Sequence, residues 1–222
     1  MFLIQLFRNK NISAEDHRRL PAFLKLWLVQ VVVMVASSMI SSAVAVFLEA
    51  KVDRMFLGYE FAPATFTSIY NVFGLVAGPI FVWLWTATKA QYIKTSKKFS
   101  IGIFWYALSY AILSIPLLFS LSGKVSPLIP IIYYLLMCFG DNMVFPIGNS
   151  MTAKLAPKSY ETQMQSAWSQ ATTVGNAVTI VLFKFFTTSD EQLRLFPIMA
   201  VVLFAASIAV YFLSNNIEKD MD

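Results

Sequence analysis

Residues 99–119 read FSIGIFWYALSYAILSIPLLF, a run without a single charged side chain. A helix needs roughly 20 mostly apolar residues to cross the hydrocarbon core of a bilayer. This stretch meets that requirement, and so does 195–213, LFPIMAVVLFAASIAVYFL. Outward from these two, four further windows qualify: 22–48, 66–86, 128–148 and 163–185. The window at 128–148 carries Asp141, and the one at 163–185 carries Lys184 near its end. No segment alternates polar and apolar residues over the length a membrane barrel strand needs. The pattern predicts an all-α integral membrane protein, a bundle of six transmembrane helices over residues 20–214. A cytoplasmic lead-in (1–19) precedes it and a short cytoplasmic tail (215–222) follows.

Composition points the same way. The 222 residues are 58% hydrophobic and 13% charged, whereas soluble domains average about 25% charged. So few charges cannot cover a water-facing surface, and the bilayer is the expected partner. The net charge of +5 is broken up by apolar spans, so topology explains it better than nucleic acid does. With one cysteine, Cys138, and one histidine, His17, neither an internal disulfide nor a Cys/His metal site is expected. No cleavable signal is expected either, because Arg8, Lys10, Arg18 and Arg19 follow the short apolar start instead of preceding it.

Lys and Arg in short loops set orientation. With the N-terminus in the cytoplasm, the inner segments hold Arg8, Lys10, Arg18, Arg19, Lys25, the cluster Lys89, Lys94, Lys97 and Lys98, then Lys154, Lys158 and Lys219. The outer segments hold only Lys51, Arg54, Lys124, Lys184 and Arg194. Both termini are therefore expected inside, and a bacterial inner membrane is the expected location.

Asp141 is the residue most suggestive of chemistry. A carboxylate at the centre of a membrane helix costs about 2.5–3.5 kcal/mol to insert. Such residues face a cavity or a partner and mark functional sites by default. Desolvation disfavours the charged form of a carboxylate, which suits it to carry a proton or bind an ammonium group. An interhelical hydrogen bond is the structural alternative. Gly140, Pro146 and Gly148 surround Asp141 and allow a kink or close packing. Gly74 and Gly78, followed by Pro79, lie four apart on one face and suit internal helix packing. Trp168 stands among Ser166, Ser169, Gln170, Thr172 and Thr173, too polar a set for a lipid-facing helix. Ser37, Ser38, Ser41 and Ser42 form small polar pairs that suit either a pathway or close packing. Hydrolase, phosphate-loop and zinc-protease motifs have no counterpart here.

Two blocks of residues carry a family resemblance. Val52-Asp53-Arg54 with Gly58, Glu60, Phe66 and Ser68, then Pro79-Ile80-Phe81 and Trp83-Leu84-Trp85, resembles the seventh and eighth helices of the proton-dependent oligopeptide transporters. Gly140-Asp141, Pro146, Gly148, Lys154-Leu155-Ala156-Pro157-Lys158, Trp168 and Gly175-Asn176 resembles their tenth and eleventh. These transporters belong to the major facilitator superfamily, with twelve helices in two six-helix halves, and import di- and tripeptides with protons.

The resemblance implies that this chain corresponds to the C-terminal half, works with an N-terminal six-helix half, and uses the proton gradient with no cofactor. It implies that Asp141 binds a peptide's amino terminus or the coupled proton, and that Trp168 lines the pocket. Three positions depart from the family. Asp141 replaces a longer Glu. Tyr70 stands where a substrate-contacting Asn is usual, with Asn71 one residue late. Ser37, Ser38 and Met39 stand where an acidic pair and Gln are common. The expected substrate and proton residues are thus Asp141, Trp168, Ser41, Tyr70 and Asn71. The alternative reading is a non-transporting split or decayed remnant, or a membrane subunit that binds a partner.

Overall fold

The hydroxyls of Ser38 and Ser42 interrupt the first membrane span. Ser38 Oγ donates to the Val35 carbonyl at 2.8 Å, and Ser42 Oγ donates to the Ser38 carbonyl at 3.3 Å. Such local bonds compete with the helical ladder. Helix α1 (Ala14–Ser38) accordingly gives way to a 3₁₀ turn (Met39–Ser41) before α2 (Ala43–Ala50) resumes the same span. The computed structural model of the chain describes residues 14–56, 58–119, 123–186 and 188–221. The long helices α3 (Pro63–Ala87), α4 (Thr95–Leu118), α5 (Leu128–Leu155) and α6 (Glu161–Phe185) follow, then a single turn α7 (Ser189–Leu193) and the last long helix α8 (Leu195–Met221).

Six long helical stretches match the six expected spans, counting α1 and α2 as one. Five of them are long and apolar enough to cross a membrane by length and composition. The exception is α6, whose Gln, Ser and Thr residues dilute its apolar character. The lead-in expected at 1–19 lies partly outside the described residues, and its last residues already belong to α1. The tail expected at 215–222 is the continuation of α8 to Met221.

Small residues let the helices approach closely. Helix α4 packs most extensively on α8 and α5, α1 on α6, and α3 on α5. Between α4 and α8, Ser100 Oγ donates to the Ser207 carbonyl at 2.8 Å and Ser207 Oγ donates to the Ser100 carbonyl at 3.0 Å. Between α4 and α5, a Cβ on Gly140 would lie 3.2 Å from the Gly102 carbonyl oxygen. Between α1 and α6, a Cβ on Gly175 would stand 2.5 Å from Met34 Cβ.

The two ends of the bundle differ. At one end α1 and α8 meet, with Arg18 and Asp220 paired at 3.5 Å, so the first and last spans reach the same side. At the other end a small hairpin pairs β1 (Met55–Phe56) with β2 (Tyr59–Glu60). Gly58 takes φ +84° in its turn, the left-handed backbone that glycine adopts without penalty. The hairpin is tied down by Arg54, which pairs with Glu60 at 2.6 Å and donates to the Phe61 carbonyl at 3.0 Å.

Two faces of the bundle are open. Only 6% of the apolar window of α3 is buried, leaving Leu75, Val76, Val82 and Trp83 exposed. Helix α6 buries one strip, Met164, Trp168, Ala171, Gly175 and Thr179. It exposes the polar strip Ser166, Ser169, Gln170, Thr173 and Asn176.

Candidate functional site

Asp141 sits halfway along α5, partly exposed, and each of its oxygens accepts a hydrogen bond from a tyrosine on another helix. Tyr106 of α4 donates to Oδ1, and Tyr70 of α3 donates to Oδ2. Tyr106 is fully buried, and its hydroxyl also lies 3.2 Å from Ser37 Oγ of α1. Four helices therefore meet at one carboxylate through side-chain hydroxyls.

Backbone geometry explains why the phenols reach it. Gly140 lets the Tyr106 ring come close to α5, because a Cβ there would fall 2.5 and 2.7 Å from two atoms of that ring. Tyr70 is steadied by the ring of Tyr134, with centroids 5.7 Å apart. Two residues before Asp141, α3 and α5 touch again where Phe81 meets Phe139 edge-on at 5.6 Å. At the far end of α3, Lys98 Nζ lies 4.7 Å from the Trp85 ring, a cation–π contact.

The other expected site residues are placed differently. Trp168 does not meet Asp141. It is 4% exposed and wedged between Phe23 and Phe99, at ring distances of 6.3 and 6.2 Å. Gly148 makes room for it, since a Cβ there would stand 2.5 Å from the indole. Within this chain Trp168 therefore stands in the core, and its helix turns its polar strip, not this indole, to the open side. Ser41 is exposed in the 3₁₀ turn and Asn71 is exposed on α3, so neither joins the cluster.

Gly74 meets no neighbour among the described residues of this chain. Nothing lies within 4 Å of a Cβ built on it, because that face of α3 is open. Gly78 makes an ordinary contact, 3.6 Å from Asn142 Oδ1. Pro79 and Pro146 are exposed, and α5 runs unbroken through Pro146. The residues that sequence reasoning missed are Tyr106 and Gly102. Ser38, for its part, bonds Thr179 Oγ1 across to α6.

Chemically, the cluster offers a carboxylate in a membrane-spanning helix with two neutral donors and, among the described residues, no cation paired with it. Ionised, it accepts both phenols. A proton or an ammonium group arriving there competes with them. Of the two, Tyr70 is the one able to yield, because it is only half-buried and stands on the least covered helix. An apolar cavity of about 500 Å³ at the hairpin end is lined by Arg54, Phe66, Ile69 and Ile131 but not by the cluster. Among the described residues, no group of three or more His, Cys, Asp and Glu gathers as a metal site.

Comparison with known proteins fits this architecture. A di-/tripeptide transporter of Lactococcus lactis subsp. cremoris is 25% identical over 226 residues, covering 100% of this chain and 45% of the relative. A peptide transporter of Yersinia enterocolitica, YePEPT, is 30% identical over 188 residues, covering 79% of this chain and 35% of its own length. The uncharacterized transporter YclF of Bacillus subtilis (strain 168) is 28% identical over 193 residues, covering 87% and 39%.

Among solved structures, the peptide transporter POT in complex with sulfate superposes with a TM-score of 0.92 at 22% identity, over 99% of this chain and 44% of that one. A POT family transporter in complex with 5-aminolevulinic acid gives 0.87 at 24%, over 97% and 45%. At such identities the superpositions speak for the fold. The chain spans less than half the length of these relatives. A profile of the POT family matches residues 2–215, nearly the whole chain, and the chain belongs to that family.

Proposed function

We propose that this chain is one half of a proton-coupled transporter for di- and tripeptides or related small amino compounds, working by alternating access. It acts together with an N-terminal six-helix half, whether on a separate chain or in the same one. The single observation that carries this reading is Asp141: a mid-span carboxylate whose two oxygens are held by side chains of two other helices. Family membership and the di-/tripeptide transporters among its relatives supply the substrate class. Such carboxylates in membrane helices serve proton and substrate relays by default. The exposed polar strip of α6 and the uncovered face of α3 support a second wall, because a substrate site at the junction of two repeats needs both. The proton gradient supplies the energy, and no cofactor takes part. Both termini face the cytoplasm of a bacterial cell, as the lysine-rich loop Lys89–Lys98 favours.

In the proposed cycle, Asp141 begins ionised with Tyr70 and Tyr106 donating to it. A proton or the ammonium of a peptide takes the place of Tyr70. Loss of that bond removes a polar tie between α3 and α5 and leaves them joined by apolar contacts such as Tyr70–Tyr134 and Phe81–Phe139; α3 is joined to the bundle largely along α5.

The test is proton-driven dipeptide uptake in cells producing the chain together with an N-terminal half. Asp141→Asn should cut uptake at least tenfold while the protein still reaches the membrane. Uptake at the wild-type level would sink the role given to Asp141.

A second reading, a non-transporting membrane subunit, draws on the same cluster, because both carboxylate oxygens are already satisfied within the chain. It predicts no uptake with any N-terminal half, and an Asp141→Asn variant that loses thermal stability without any transport phenotype.

A further inference from the structure

Helices α4 and α8 pack tightly yet leave an open groove of about 430 Å³ on their outer surface. Its walls are Phe104, Ile208, Tyr211 and Phe212, with Ser100 and Ser207 at its floor. The floor hydroxyls bond each other's backbone carbonyls at 2.8 and 3.0 Å, so they have little left to offer a polar solute. The groove is therefore suited to a hydrocarbon chain.

One end of the groove is basic. Lys97 Nζ lies 5.1 Å from the centroid of the Tyr211 ring, and Lys94 Nζ donates to Asn215 Oδ1 at 2.8 Å on the next turn of α8. The nearby acids are committed elsewhere. Glu218 accepts from the Ser96 backbone N–H and hydroxyl, both at 2.8 Å, at the start of α4. Asp220 pairs with Arg18. Among the described residues, Lys94 and Lys97 thus stand without a carboxylate partner at the polar end of an apolar groove, where a membrane headgroup would lie.

We infer that this groove is a binding site for an anionic phospholipid, with its phosphate at Lys97 and Lys94 and one acyl chain laid over Ser100, Phe104 and Phe212. Lipid tails are as apolar as these side chains, so tail contact alone does not distinguish the lipid from its neighbours. Selection comes from the headgroup, and basic residues beside membrane helices recognise anionic headgroups. Asp141 takes no part in this site, so it stands or falls separately from the transport reading.

The chain, purified in mild detergent and stripped of lipid, is offered dioleoyl-phosphatidylglycerol, dioleoyl-phosphatidylcholine or oleate at equal concentration, and bound molecules are counted by native mass spectrometry. Phosphatidylglycerol should be retained in preference to phosphatidylcholine. Lys97→Gln should weaken its retention about fivefold, as expected for one basic residue at an anionic surface. Lys97→Arg should keep it, and Lys124→Gln, at the opposite end of the bundle, should leave it unchanged. Equal retention of the two phospholipids overturns the proposal, as does an unaltered Lys97→Gln variant. So does retention of oleate without phosphatidylglycerol, which assigns the groove to free fatty acid, or a lipid-free dimer, which assigns it to a second copy.

Discussion

Two polar seams cross the apolar interior, and they are built differently. Between α4 and α8, Ser100 and Ser207 bond to backbone carbonyls, and Glu218 caps the first turn of α4. Between α3, α4 and α5, Asp141 takes both its hydrogen bonds from side chains. The serine seam closes on groups that the helices always present, so it holds for as long as the helices lie together. The Asp141 cluster is held only by hydroxyls that can rotate away, one of them on a helix whose face is mostly uncovered. A polar group in a membrane helix is a strut in the first arrangement and a switch in the second.

The largest expected effect comes from removing the space that the switch occupies. Gly140→Ala places a methyl 2.5 Å from the Tyr106 ring, and that ring, fully buried, cannot swing aside without leaving Asp141. The variant should lose about 3 kcal/mol, the upper part of the usual range for overpacking, as a lowered thermal midpoint in detergent. An unchanged midpoint would mean that α4 and α5 part easily, and that the cluster is looser than the serine seam.

Next comes Tyr106→Phe, which keeps the ring and removes the hydroxyl shared by Asp141 and Ser37. Hydrogen bonds to charged groups contribute about 1.5–3 kcal/mol, so leaving this part-buried carboxylate oxygen without its donor costs about 2 kcal/mol, again read in the thermal midpoint. A change below that of Ser207→Ala would show that the carboxylate finds another partner and that the two seams do not differ.

How much of this could be read in advance depends on the residue. Asp141 was legible because a charge inside an apolar run demands an explanation whatever the fold. Tyr106 was not, since tyrosine is common in membrane helices and its partner stands 35 residues on. The six helical stretches were legible from hydropathy, but the break at Met39–Ser41 depended on which serine hydroxyls turned back onto the chain. Trp168 illustrates a signal present but read by its neighbours. Met164, Trp168, Ala171 and Gly175 follow helical spacing along one strip, which places the indole opposite the polar strip and into the core. Gly74 shows the converse: two small residues four apart describe a face able to pack, while the presence of a neighbour is a tertiary fact.

Tyr70→Phe sharpens the switch itself. The stability change should be about 1 kcal/mol or less, because Tyr70 is half-buried and water can replace its bond. Its kinetic signature is of more use. If Tyr70 competes with the substrate ammonium for Asp141, deleting its hydroxyl should lower the KM for dipeptide uptake about fivefold, the equivalent of about 1 kcal/mol. A raised KM would instead make Tyr70 a group that holds Asp141 in place, and the cluster would then resemble the serine seam more than it differs from it.

The smallest effect belongs to the strut. Ser207→Ala removes the donor to the Ser100 carbonyl, an oxygen that also accepts the helical bond of its own ladder. Side-chain hydrogen bonds between membrane helices average about 0.6 kcal/mol, so the thermal midpoint should barely move and dipeptide uptake should stay as it was. The double variant Ser100→Ala, Ser207→Ala should add little more, since α4 and α8 remain packed along their whole length. A loss of uptake in Ser207→Ala with stability intact would mean that α4 and α8 also move against each other in the cycle, and the serine seam would have to be counted as a second switch.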